Sequence, residues 1–155
     1  MSIEQLYLRA GEGETASLRG TEVIFKATGE RAGGGPTVIE FIAAPGFSTG
    51  DHVHSKVEEI FYVVDGEFNL RCGDWADRVG PGSLVRVPVG TAHGFGNPGS
   101  APATLLLIIS PAAVHEEYFR ELAATLARPG PPDTAAIADL RQRYDTIQVS
   151  PLTIA

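Results

Sequence analysis

The chain has 155 residues, 43% of them hydrophobic and 20% charged, a size and composition that suit one globular domain with a single core and exclude a disordered or fibrous chain. Its net charge of −7 and pI near 5.0 repel nucleic acid and anionic lipid, and no Lys/Arg cluster offsets them. With no apolar run of signal or membrane-span length, and a single Cys72 unable to form an internal disulfide, the expected setting is the cytoplasm, with no nucleic acid or membrane partner.

Residues 1–36 read as an N-terminal segment, long enough to pack on the main domain or pair with a neighbour's sheet, and contain one β-like run at 21–27. Further β-like runs follow at 37–44, 59–65, 67–72, 76–79, 83–87 and 103–110, punctuated by turn signals such as Pro45-Gly46, Asp65-Gly66, Gly73-Asp74 and Asn97-Pro98-Gly99. Short strands separated by Gly/Pro turns predict an all-β sandwich or barrel core over 37–111. Beyond Pro111 the period changes. Val114, Tyr118, Phe119, Leu122 and Leu126 fall at helical spacing in 112–126, and a second helix, capped by Asp133 or Thr134, continues through Ile137, Leu140, Arg141 and Tyr144. Residues 112–155 are therefore read as a helical hairpin that caps the same domain by packing.

Three of the four histidines lie in two short strings. On a strand, His52 and His54 point to the same face, roughly 7 Å apart at Cα, so one ion can bridge them. Glu59 opens the run Glu59-Ile60-Phe61-Tyr62-Val63-Val64, which the Asp65-Gly66 hairpin returns antiparallel. His93, after the turn at Pro88-Val89-Gly90, brings a third imidazole from a neighbouring strand. Three nitrogens and one oxygen suit a divalent transition metal such as iron, manganese, nickel, copper or zinc. Alternation leaves the adjacent Glu58 outside. Asn97 reads as a turn residue, and His115, apart from the rest, as a surface or helix-end histidine. Cys72 alternates with Phe68 and Leu70 and reads as a buried core thiol.

These strings resemble the two motifs of the cupin superfamily: Gly46, His52, His54, Glu59 and Gly66 fill the first, and Gly82, Pro88, Gly90, His93 and Asn97 the second. The resemblance implies a single jelly-roll β-barrel with the metal inside, and a homodimer. Looser similarity to quercetin-dioxygenase-like cupins implies a metal-dependent dioxygenase in which Glu59 also acts as base toward a flavonol-like, phenolic or enolisable substrate. A non-oxidative isomerase, cyclase or decarboxylase, and a non-catalytic small-molecule binder, are the alternatives. Phe61, sharing Glu59's face, Phe68 on the returning strand, Phe95 two positions from His93, and Glu40, which interrupts an apolar run, are the candidate substrate contacts. Because Lys56, Arg71, Arg78 and Arg86 are the local cations and none is firmly inward, the expected ligand is flat and hydrophobic with a chelating oxygen.

Overall fold

In the computed structural model, described for residues 7–29, 34–111 and 115–154, eleven strands and two helices follow in the order β1 (Glu14–Leu18), β2 (Thr21–Ala27), β3 (Thr37–Ala43), β4 (His52–Val53), β5 (Glu58–Asp65), β6 (Phe68–Cys72), β7 (Trp75–Val79), β8 (Leu84–Val87), β9 (His93–Gly96), β10 (Ala103–Ser110), α1 (His115–Leu126), α2 (Thr134–Arg143) and β11 (Ile147–Gln148). Strict alternation builds the core faces. Thr37, Ile39, Phe41 and Ala43 of β3 are buried, as are Glu59, Phe61 and Val63 of β5 and Ala103, Leu105, Leu107 and Ile109 of β10, while Tyr62 and Val64 face solvent.

The strands form two antiparallel sheets. One has six strands in the order β1-β2-β3-β10-β5-β8, the other five in the order β11-β4-β9-β6-β7. Among the described residues no ladder joins them, so the closed barrel expected from the sequence is instead a two-sheet jelly-roll arrangement. The edges explain this: β4 and β11 are two residues long, β8 is four, and β7 is almost wholly exposed, too little backbone to zip one sheet to the other. The strand at 14–18 and the short β4, β9 and β11 are additional to the runs read from the sequence.

Gly66 illustrates what fixes the β5–β6 hairpin. Its φ is +73°, and a Cβ there would lie 2.7 Å from Ala103 Cβ, so the turn needs glycine for both conformation and closeness. In the N-terminal segment, β2 pairs with β3 and β1 with β2, which extends the chain's own sheet. Residues 1–6 and 30–33 of that segment lie outside the described residues, as do 112–114 at the start of the expected first helix.

The core between the sheets is aromatic. Phe41 meets Phe47 at 5.2 Å, Phe95 at 5.1 Å and Phe119 of α1 at 6.2 Å between ring centroids. Helix α1 buries Tyr118, Phe119, Leu122 and Leu126, the stripe that its sequence period predicts. Its C-terminal end is tied to the β1–β2 turn by Arg19, whose guanidinium donates to the carbonyls of Leu126 (2.7 Å), Arg128 (2.9 Å) and Gly130 (2.9 Å). Asp133 caps α2 by accepting from Ala136 N at 3.0 Å. The chain then returns as β11, with Ile147 opposite Val53 and Gln148 opposite His52. The C-terminal segment thus both covers the core and adds a strand beside the first histidine pair.

Candidate metal centre

Register brings the histidines together. His52 on β4 pairs directly with His93 on β9, which sets their ring centroids 4.3 Å apart, and His54 lies 4.9 Å from His52 and 5.2 Å from His93. Glu59 reaches in from β5 of the opposite sheet. All four residues are buried, and one ligand atom from each lies within 4.8 Å of the others.

The orientation of the rings is fixed from behind. His52 Nδ1 contacts Gly50 O at 3.0 Å, His54 Nδ1 contacts Asp145 O at 2.8 Å, and His93 Nδ1 contacts Thr91 O at 2.9 Å. A carbonyl only accepts, so each Nδ1 is the donor and each neutral ring presents the lone pair of Nε2 to the cavity. Those lone pairs face a carboxylate: His54 Nε2 is 3.3 Å from Glu59 Oε1, and His93 Nε2 is 2.9 Å from Glu59 Oε2. Two acceptors at that range repel unless a proton or a cation lies between them. The donor set therefore fits a divalent transition metal, with His52, His54 and His93 supplying nitrogen and Glu59 oxygen.

Burial opposes the charged form of His54, but the hydrogen bond to Glu59 and the charges of Glu59 and Asp145 outweigh it and raise its pKa. For Glu59 burial pushes upward, yet the bonds and charges of His54 and His93 hold its carboxyl well below the usual range. His52, desolvated and beside two other imidazoles, falls to about 3 and stays a neutral donor.

Asp145 holds the assembly from outside. It follows α2 with a φ of +52°, where aspartate is tolerated better than most residues. Its carboxylate accepts from Ser55 N, Lys56 N at 2.9 Å and the Ser55 hydroxyl, pinning the loop after His54 while its carbonyl holds the His54 ring. Asp145→Ala is expected to weaken divalent-metal affinity by about 10- to 100-fold with the sheets intact, as measured by competition with a chromophoric chelator. Unchanged affinity would mean that the His54 ring is held without this loop.

The site opens onto a small cavity of about 40 Å³ whose wall includes Phe41, Phe47, Phe95, Phe119, His115 and Arg141. Of the four expected substrate contacts, only Phe95 lines it. Phe61 and Phe68 are wholly buried, Phe61 packing beneath His93 at 6.2 Å. Glu40 points to the outer face of β3, 3.2 Å from Lys26 Nζ, because alternation opposes it to Ile39 and Phe41. Glu58 pairs with Arg86 on the outer side of β5. Asn97 braces the turn before β10, donating to Ala43 O and Ala101 O and accepting from Gly99 N. Cys72 is half-buried, and desolvation pushes its thiol pKa up.

Two corrections concern the helices. His115 is no surface residue: it is buried, lines the cavity, and its ring lies 5.4 Å from that of His54. The wall also holds an inward cation, since Arg141 of α2 is buried against the cavity. Both positions were readable as members of a buried helical face, His115 three and four residues before Tyr118 and Phe119, Arg141 four after Ile137.

Residues 39–109 match the family model of the cupin domain. This stretch is similar to cupin domains. Comparison with curated proteins gives no significant match. Among solved structures, the chain is similar to KdgF from Halomonas sp., at 18% identity over 72% of this chain and 99% of that one with a TM-score of 0.63. It is similar to the polyketide cyclase RemF from Streptomyces resistomycificus, at 22% identity over 68% and 79% with a TM-score of 0.60. A "predicted oxalate decarboxylase" from Thermotoga maritima matches at 22% identity over 66% and 96%, with a TM-score of 0.60. Such likeness extends the cupin fold to this chain and leaves its chemistry to its own residues. Among the described residues no helix is long and apolar enough to cross a membrane.

Proposed function

We propose that this cupin-like protein is a metal-dependent oxygenase acting on a small enolisable or phenolic substrate that binds the metal through oxygen. The observation that carries the reading is the set of three imidazoles and one carboxylate converging beside a small cavity whose wall carries Phe41, Phe47, Phe95 and Phe119. Bound there, the ion would supply Lewis acidity toward a substrate oxygen and, where redox-active, electron exchange with dioxygen.

The chain's own residues orient and exclude. Phe41, Phe47 and Phe95 keep water from the reacting atoms and leave few poses for a planar substrate. Glu59 is the one carboxylate among the described lining residues and is the base of this reading, placed to take a hydroxyl proton from a substrate at the centre. The cavity volume of about 40 Å³ is far below the roughly 300 Å³ and more of pockets that hold drug-sized ligands. That favours a compact substrate over a three-ring flavonol.

A non-oxidative isomerase or decarboxylase is favoured by one observation, the buried His115, which sits beside the centre and is not among the four ligand residues. The separating experiment reconstitutes the protein with iron, manganese, nickel, copper or zinc and follows oxygen uptake with small enolisable phenols and 2-oxo acids, using flavonols as the oversized comparison. Uptake matched to substrate consumed is expected with a redox-active metal. Substrate conversion without uptake would overturn the oxygenase in favour of the second reading.

A further inference from the structure

We propose that Arg141 and His115, carried into the cavity by the two C-terminal helices, form an anion subsite that takes the carboxylate of a small 2-oxo or 2-hydroxy acid. The inference rests on the metal reading above and names the substrate class for that same site.

Arg141 is 1% exposed. Its guanidinium donates once, from Nη1 to Gln148 Oε1 at 3.2 Å, and its Nε has no partner. Among the described residues no carboxylate lies within ion-pair range of it. A buried guanidinium without a counter-charge is strongly unfavourable, and its planar fork is matched to a carboxylate. His115 is 5% exposed, and neither of its ring nitrogens has a partner among the described residues. Buried polar atoms are nearly always satisfied, so unpartnered donors from two different helices, both lining one cavity, point to a ligand that satisfies them together.

Charge and size narrow the ligand. A divalent ion less the Glu59 carboxylate leaves one positive charge, and Arg141 adds a second, so the loaded cavity favours an anion. The rest of the wall is mostly apolar, with Phe41, Phe47, Phe95 and Leu107, and the hydroxyls of Thr49 and Thr146 in it already donate to backbone carbonyls, so the metal and the Arg141 and His115 side chains are its charged or unpartnered polar features. In about 40 Å³, a short acid with an adjacent oxo or hydroxyl oxygen can address both. A role confined to tying α2 to β11 through Gln148 would leave Arg141 Nε and the whole His115 ring unexplained.

The test is calorimetric titration of lactate and pyruvate, with lactamide as the uncharged counterpart, into zinc-loaded and metal-free protein, zinc being redox-inert. Lactate is expected to bind about tenfold or more tightly than lactamide. Arg141→Met is expected to lose that preference while zinc stoichiometry and thermal midpoint hold, and His115→Gln to lose part of it. Arg141→Lys, which keeps charge but not the fork, serves if the methionine variant fails to fold, and the lactate–lactamide comparison needs no variant. Equal binding of lactate and lactamide, binding indifferent to Arg141, or binding of neither acid would overturn the proposal. Zinc stoichiometry is read separately: absence of zinc uptake would sink the metal reading, while Arg141-dependent lactate binding by metal-free protein would still sustain the subsite.

Discussion

Replacing His93 with alanine is expected to remove stoichiometric metal from the protein while both sheets remain folded. His93 is 1% exposed, sits opposite His52 in the β4–β9 pairing, and its Nε2 is one of two that face the Glu59 carboxylate. Backbone pairing does not depend on the ring, so the ladder survives its loss. The metal site is not expected to, because one of four ligands disappears and the remaining described histidine, His115, is not part of the cluster of ligand atoms. Residues that merely orient a ligand are typically worth 10- to 100-fold in affinity, so removal of a ligand should cost more than about 100-fold. Stability of the metal-free protein should fall modestly, by about 1–3 kcal/mol, since Glu59 Oε2 loses its partner in a buried site. Elemental analysis of the variant beside wild type, with thermal melts of both, checks each half. Full occupancy in His93→Ala would mean that the metal lies elsewhere or that three ligands suffice.

Phe41→Ala is expected to be the most damaging substitution in the core. Phe41 is 1% exposed and is the ring shared by Phe47, Phe95 and Phe119, so it joins β3, the loop before β4, strand β9 and helix α1. Truncating a buried phenylalanine costs about 3–5 kcal/mol, and for a chain of this length that lowers the melting midpoint by roughly 6 to 20 °C. Phe41 also lines the cavity, and its loss should loosen α1 and open the site to water, which amide exchange across α1 would register. Phe41→Leu, which keeps much of the volume, should cost less. A loss below about 1 kcal/mol in Phe41→Ala would show that α1 is not docked through this cluster.

Much of the candidate metal centre was legible because strand period and turn chemistry act locally. His52 and His54 share a face by alternation, Asp65-Gly66 forces a tight return, and Glu59, Phe61 and Val63 must all point the same way once any one of them is buried. Less legible was whatever depends on contacts distant in sequence. Two-residue strands such as β4 and β11 leave no periodic trace, and the pairing of Gln148 with His52 spans most of the chain. Whether a sheet closes on itself depends on edge lengths that β7 and β8 do not announce. The sequence left Glu40 either inward or on a solvated strand face, the commoner outcome, and the Lys26 contact that holds it outside comes from another strand.

The helices show the same boundary. His115 and Arg141 belong to helical faces that the sequence marks as buried, but a polar residue on such a face has two very different fates, a satisfied place in the core or a wall of a cavity. Only the fold distinguishes them, by setting α1 and α2 over the histidines. Asp145 was invisible for a related reason: its carboxylate acts on Ser55 and Lys56, and its carbonyl on His54, about ninety residues away in the chain.

Elemental analysis of the wild-type protein, purified without added metal or chelator and again after reconstitution with a single divalent transition metal, addresses the metal centre most directly. One ion per chain, lost together with the His93 ring, is the expected result. A protein that takes up no ion under either condition would contradict it, leaving the contacts of His54 and His93 with Glu59 as a buried polar cluster with no metal chemistry in the cavity.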